Sequence, residues 1–90
     1  MNPIETHEKN LAWIDKQIDL YTFALRQSMD DSEFNATSSG RKSLRANRKV
    51  LERHRPRNEF CDSCSRSAGR GITFPCQTYV DVTDGLGISE

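Results

Sequence analysis

The stretch HRPRNEFCDSCSRSAGRGITFPCQT, residues 54 to 78, constrains this chain most, because it holds all three cysteines and one of the two histidines. Three thiols cannot all pair with one another. Cys61 and Cys64 form a Cys-x-x-Cys pair, Cys76 returns after eleven intervening residues directly behind Pro75, and His54 precedes Cys61 with six residues between them. Structural zinc takes four thiolate or imidazole ligands at tetrahedral corners. A Cys-x-x-Cys turn delivers two sulfurs to one ion, and Asp62, Ser63 and Ser65 suit a knuckle whose backbone N–H groups point at sulfur. His54, Cys61, Cys64 and Cys76 therefore read as a Cys3His zinc site, with His7, Asp62 or a partner's side chain as alternatives for the fourth position. A redox Cys-x-x-Cys normally opens a helix in a βαβ setting, whereas SRSAGRG behind Cys64 reads as a loop. A disulfide with one spare thiol, or three inert buried cysteines, are the other readings.

A chain of this kind needs such a staple. Only 34% of its 90 residues are hydrophobic and 29% are charged, which leaves little apolar surface to bury in a small domain. Folds with thin cores rely on a disulfide, a metal or a partner chain. The odd cysteine count, with no secretory signal in MNPIETHEKN, points to a reducing, cytoplasmic setting. No segment approaches the roughly 18 consecutive apolar residues of a membrane-spanning helix.

Hydrophobic periodicity predicts two helices in a single domain spanning 1–90. Leu11, Ile14, Ile18, Tyr21 and Leu25 alternate steps of three and four, and Ile4 and His7 extend the stripe backwards. That places the first helix over 5–28, with Trp13, Leu20 and Phe23 broadening its apolar face. The heptad stripe also offers a route to a homodimer. MDDSEFNATSSG has the composition of a connecting loop. The second helix is expected over 38–54, capped by Ser38 or Ser39, with Leu44, Asn47, Leu51 and His54 on one face and Val50 beside it. Arg55 precedes Pro56 and is pushed out of helical geometry, which puts His54 in the last turn. Residues 55–80 form the zinc-knuckle segment, in which ITF and TYVDV allow short β-strands, and 81–90 read as a flexible tail. The expected fold is mainly α, a helical hairpin followed by a small zinc knuckle.

The run LERHRP, CDSC and FPCQT resembles small Cys/His proteins encoded by actinobacteria and their bacteriophages. Their pattern is a helix ending in Arg-His-x-Pro, then Cys-x-x-Cys, then a Pro-Cys-x-Thr element. The match covers Leu51 to Thr78, with SLRANRKVLERH as softer support. The resemblance implies a metal site at His54, Cys61, Cys64 and Cys76. Gln77 stands where the pattern often has proline, and it touches no ligand. No biochemical activity follows from the resemblance.

No catalytic constellation accompanies these residues. There is no HExxH, no Gly-rich phosphate loop and no H-x-E ahead of the cysteine pair, so a non-enzymatic binding or regulatory module is expected. Charge is unevenly spread. Residues 1–35 carry three Lys/Arg against seven Asp/Glu, a balance of −4, whereas 36–75 carry ten against three, a balance of +7. Two binding modes follow. In the preferred one the acidic first helix pairs with the basic second helix, and Trp13 and Phe23 anchor a protein partner. In the alternative, Arg41, Lys42, Arg45, Arg48, Lys49, Arg53, Arg55 and Arg57 lie along nucleic-acid phosphates. Arg66 and Arg70 on the knuckle can join them. Zero net charge is unusual for a dedicated nucleic-acid binder.

Overall fold

The computed structural model describes residues 2–27 and 29–88, and it is mainly helical. Two long helices, α1 (Pro3–Leu25) and α2 (Asp31–Arg53), form a hairpin. A short antiparallel ribbon follows, β1 (Pro56–Arg57) paired with β2 (Phe60–Cys61), then α3 (Asp62–Ala68) and α4 (Gln77–Leu86).

Helix α1 starts earlier than residue 5 and ends before residue 28. The Asn2 side chain accepts the Glu5 backbone N–H at 2.8 Å, and Pro3 sits in the first turn, where its missing N–H costs nothing. The middle of the heptad stripe is spent inside the chain: Ile14 is fully buried, and Leu11 and Ile18 pack on the same cluster. Its ends are not, since Ile4 and Tyr21 are exposed. A homodimer seam along the whole stripe is therefore not free.

Helix α2 corrects the sequence reading most. It begins at Asp31, not near residue 38, and Ser38 and Ser39 lie in its interior rather than at its start. Asp30 is the cap, accepting the Glu33 backbone N–H at 2.8 Å, and Asp31 and Glu33 in the first turn complement the helix dipole. Ser, Thr and Asn are weak helix formers but do not break a helix already nucleated. Gly40 lies where the hairpin is close: a Cβ there would stand 3.1 Å from the Tyr21 ring. The far end agrees with expectation, because His54 is the C-terminal cap.

The segment after Pro56 is more helical than expected. Asn58, in the left-handed region at φ 59°, turns the two-residue β-hairpin, a conformation that Asn tolerates. Residues 62–68 form α3, which ends at left-handed Gly69, so the turn expected at Asp62 and Ser63 and the first four residues of the expected SRSAGRG loop are helical. Of ITF, only Thr73 bridges to Phe60. TYVDV is helical, and so is most of what read as a tail. Tyr79, Val82, Thr83 and Leu86 recur at helical spacing and turn inward, which outweighs the β-propensity of Val and Tyr. Helix α4 closes in a Schellman motif, with Gly87 N–H on the Asp84 carbonyl and Ile88 N–H on that of Thr83. Residues 89 and 90 of the expected tail lie outside the described residues.

Candidate metal centre

Four elements converge on one point. The last turn of α2 supplies His54, β2 supplies Cys61, α3 supplies Cys64, and the residue before α4 supplies Cys76. His54 Nδ1 lies 3.3 Å from Cys61 Sγ, 3.5 Å from Cys64 Sγ and 3.4 Å from Cys76 Sγ. All four ligand atoms fall within 4.8 Å of one another. Three thiols and one imidazole at these separations can hold a metal ion.

The local backbone fixes this placement. Cys61 N–H donates to the Ile72 carbonyl at 2.7 Å, Phe74 N–H to the Glu59 carbonyl at 2.9 Å, and Asp62 N–H to the Arg55 carbonyl at 3.0 Å. The Ser65 hydroxyl accepts Ile72 N–H at 2.9 Å, so the return strand toward Cys76 is tied to α3. These bonds make the long spacer between Cys64 and Cys76 a folded path rather than a loose loop.

The site is sheltered. Cys61 and Cys76 are buried and none of the three cysteines is in a disulfide. Burial pushes the Cys61 thiol up to about 12, while the Cys64 backbone N–H opposes this by donating to its sulfur. Burial raises Cys64 as well. A cation must therefore displace protons to bind, which makes affinity dependent on pH. Raised values are also the reverse of the depressed thiolate pKa that a redox Cys-x-x-Cys uses. The expected loop behind Cys64 is instead the rest of α3, which Cys61 opens as its N-cap.

The alternative fourth ligands lie elsewhere. His7 Nδ1 is 2.9 Å from the Tyr79 hydroxyl, which also accepts from Asn10 Nδ2 at 3.1 Å. Burial, with Arg48 and Arg55 nearby, holds His7 below its ordinary pKa, and Glu8 opposes them. A neutral ring accepting the Tyr79 hydroxyl proton on Nδ1 fits that shift. Asp62 faces Arg66 at 3.2 Å, Arg57 at 3.7 Å and Arg55 at 3.9 Å. Sequence reasoning missed both Asn10 and Tyr79, although Tyr79 follows Cys76 by one helical turn.

The tentative partner residues separate into groups. Trp13 is half-buried on the rim of a groove, whereas Phe23 is exposed near the opposite end of α1. Arg48 bonds Asp15 at 2.7 Å and also pairs with Glu52. Lys42, Arg45 and Lys49 are exposed and Arg41 is half-buried, and none of the four makes an ion pair among the described residues. No described helix is long and apolar enough to cross a membrane. No family model, curated protein or solved structure matches the chain significantly.

Proposed function

We propose that the chain is a non-enzymatic, zinc-stabilised module that binds a protein partner. The observation that carries it is the set of nitrogen–sulfur separations. Zinc at roughly 2.3 Å from sulfur and roughly 2.0 Å from nitrogen, with tetrahedral angles, requires edges of about 3.5 Å, against 3.3 to 3.5 Å here. Four protein ligands fill the coordination sphere, leaving no open position of the kind catalytic zinc keeps. The resemblance to small Cys/His proteins of actinobacteria and their bacteriophages adds a phage-encoded, cytoplasmic setting to the proposal.

A protein partner is favoured by the groove of about 910 Å³ between α1 and the C-terminal segment, lined by Trp13, Phe74, Pro75, Tyr79 and Ile88. Open apolar surface rimmed by polar residues is what docking sites look like. A second reading has its own support. Lys42, Arg45, Lys49 and Arg53 share one exposed stripe of α2 and have no carboxylate partner among the described residues, which suits nucleic-acid phosphates.

Native mass spectrometry tests the metal: about one zinc per chain is expected, lost with acid or a strong chelator. A metal-free chain, prepared under reducing conditions and equally heat-resistant, contradicts the proposal. The partner class is tested by comparing Trp13→Ala with the pair Arg45→Glu and Lys49→Glu in nuclease-treated pull-downs. Arg48 is left alone because it bonds Asp15 across the hairpin. Loss with the charge reversal and none with Trp13→Ala transfers the assignment to nucleic acid.

A further inference from the structure

We propose that the groove beside Trp13 takes an acidic amphipathic peptide segment, its apolar side chain against Trp13 and Tyr79 and its carboxylates on Lys9 and Lys16. This rests on the protein-binding reading above and names the chemistry of the partner.

Among the described residues the groove's charge is one-sided. Its described lining includes Lys9 and Lys16 and no carboxylate. Lys9, Trp13 and Lys16 are spaced by four and three residues, so they share one face of α1. Both lysines are exposed and make no ion pair among the described residues. Of the acids on α1, Asp15 is engaged by Arg48. Glu5, four residues before Lys9, is not paired with it. The hydroxyl of Tyr79 is already held by His7 and Asn10, so this residue offers the groove its ring.

The dimensions fit a peptide. Seven residues of helix separate the two lysines by about 10.5 Å along the axis. An extended chain rises roughly 3.3 Å per residue and alternates faces. Carboxylates two residues before and two residues after a large apolar residue therefore share its face and, about 13 Å apart, lie within reach of both flexible lysines. A basic segment would place like charges together, which opposes binding and excludes such partners. Rim lysines contribute modestly to affinity, so the charge preference acts chiefly as selectivity and weakens with salt.

The test is selection of a displayed random-peptide library on the immobilised, zinc-loaded full chain at physiological salt. The expected consensus is an aromatic or large aliphatic residue with Asp or Glu on both sides. The double variant Lys9→Glu with Lys16→Glu, both exposed positions that leave the core intact, should reverse the flanking preference to Lys and Arg. A synthetic consensus peptide should lose about tenfold in affinity for that variant and more for Trp13→Ala. A wild-type consensus without flanking acids overturns this inference and leaves the protein-binding reading standing. So does a consensus peptide that binds Trp13→Ala unchanged. Recovery of no consensus from the wild type contradicts the protein-binding reading itself.

Discussion

The two ends of the helical hairpin are made from the same pair of helices, yet only one end has an interior. Near the end of α2, Leu51 and Ile14 are completely buried, with Cys61, Phe74, Cys76 and Tyr79 around them. Toward the connection, Phe23 and Phe34 are 64% and 47% exposed, and no described residue between Ile14 and Leu44 is buried. The molecule measures 50 Å along its longest axis and 16 Å along its shortest. Two packed helices cannot enclose a side chain, and a third layer exists only where the cysteine segment folds back. Burial therefore follows the layer laid over a residue, not the hydrophobicity of the residue itself.

The sharpest way to break this comparison is to remove the third layer's anchor. Cys61→Ser, Cys64→Ser, Cys76→Ser or His54→Ala should each severely weaken zinc binding and cost several kcal/mol, because structural zinc contributes its binding energy to folding. His7→Ala should retain the metal. Hydrogen exchange should show protection lost from residues 44–53 and 60–86, with little change at residues 20–25 and 31–38. Loss spread evenly over both ends would mean that the hairpin has no separate interior.

Truncations in the two ends give the next effect in size. Leu51→Ala should cost about 2–5 kcal/mol through a cavity in the enclosed end. Phe23→Ala, on the uncovered end, should stay within about 0.5 kcal/mol. Urea titration of the zinc-loaded protein measures both, and equal losses would contradict the comparison.

Gly40→Ala probes the uncovered end with a smaller effect. Alanine gains up to about 1 kcal/mol of helix propensity over glycine. The tight contact with the Tyr21 ring opposes it, yet Tyr21 is 36% exposed and free to give way. Net stabilisation of a few tenths of a kcal/mol is expected, and a marked loss of thermal midpoint would show that Tyr21 is firmly packed.

The smallest effect concerns His7. Its lowered pKa means the folded state disfavours the proton, so its contribution is present above roughly pH 6.5 and is lost as pH falls below that value. Zinc-loaded His7→Gln should lose less stability than the wild type on acidification from neutrality to roughly pH 5.5. Parallel curves would show that His7 is not desolvated.

What the sequence reveals follows the range of the interactions involved. The cluster of His54, Cys61, Cys64 and Cys76 was legible because Cys-x-x-Cys, Pro-Cys and a histidine at a helix end are local patterns of the kind that metal coordination asks for. The end of α2 was legible through Arg55 before Pro56. The start of α2 was missed because Asp30 with Glu33 is a capping pair hidden inside loop-like composition. Helix α4 was missed because Thr78 to Val82 favours strand locally. Its helical form depends on seating Tyr79 and Thr83 against residues far away in the chain, including Asn10. The groove beside Trp13 could not be read at all, since Lys9, Lys16 and Ile88 meet only after folding.

X-ray absorption at the zinc edge of the protein purified under reducing conditions tests the metal centre most directly. Three sulfur scatterers at roughly 2.3 Å and one nitrogen at roughly 2.0 Å are expected, with the nitrogen contribution lost in His54→Ala. A first shell of oxygen donors, a two-sulfur shell, or a nitrogen that persists in His54→Ala would contradict the Cys3His centre.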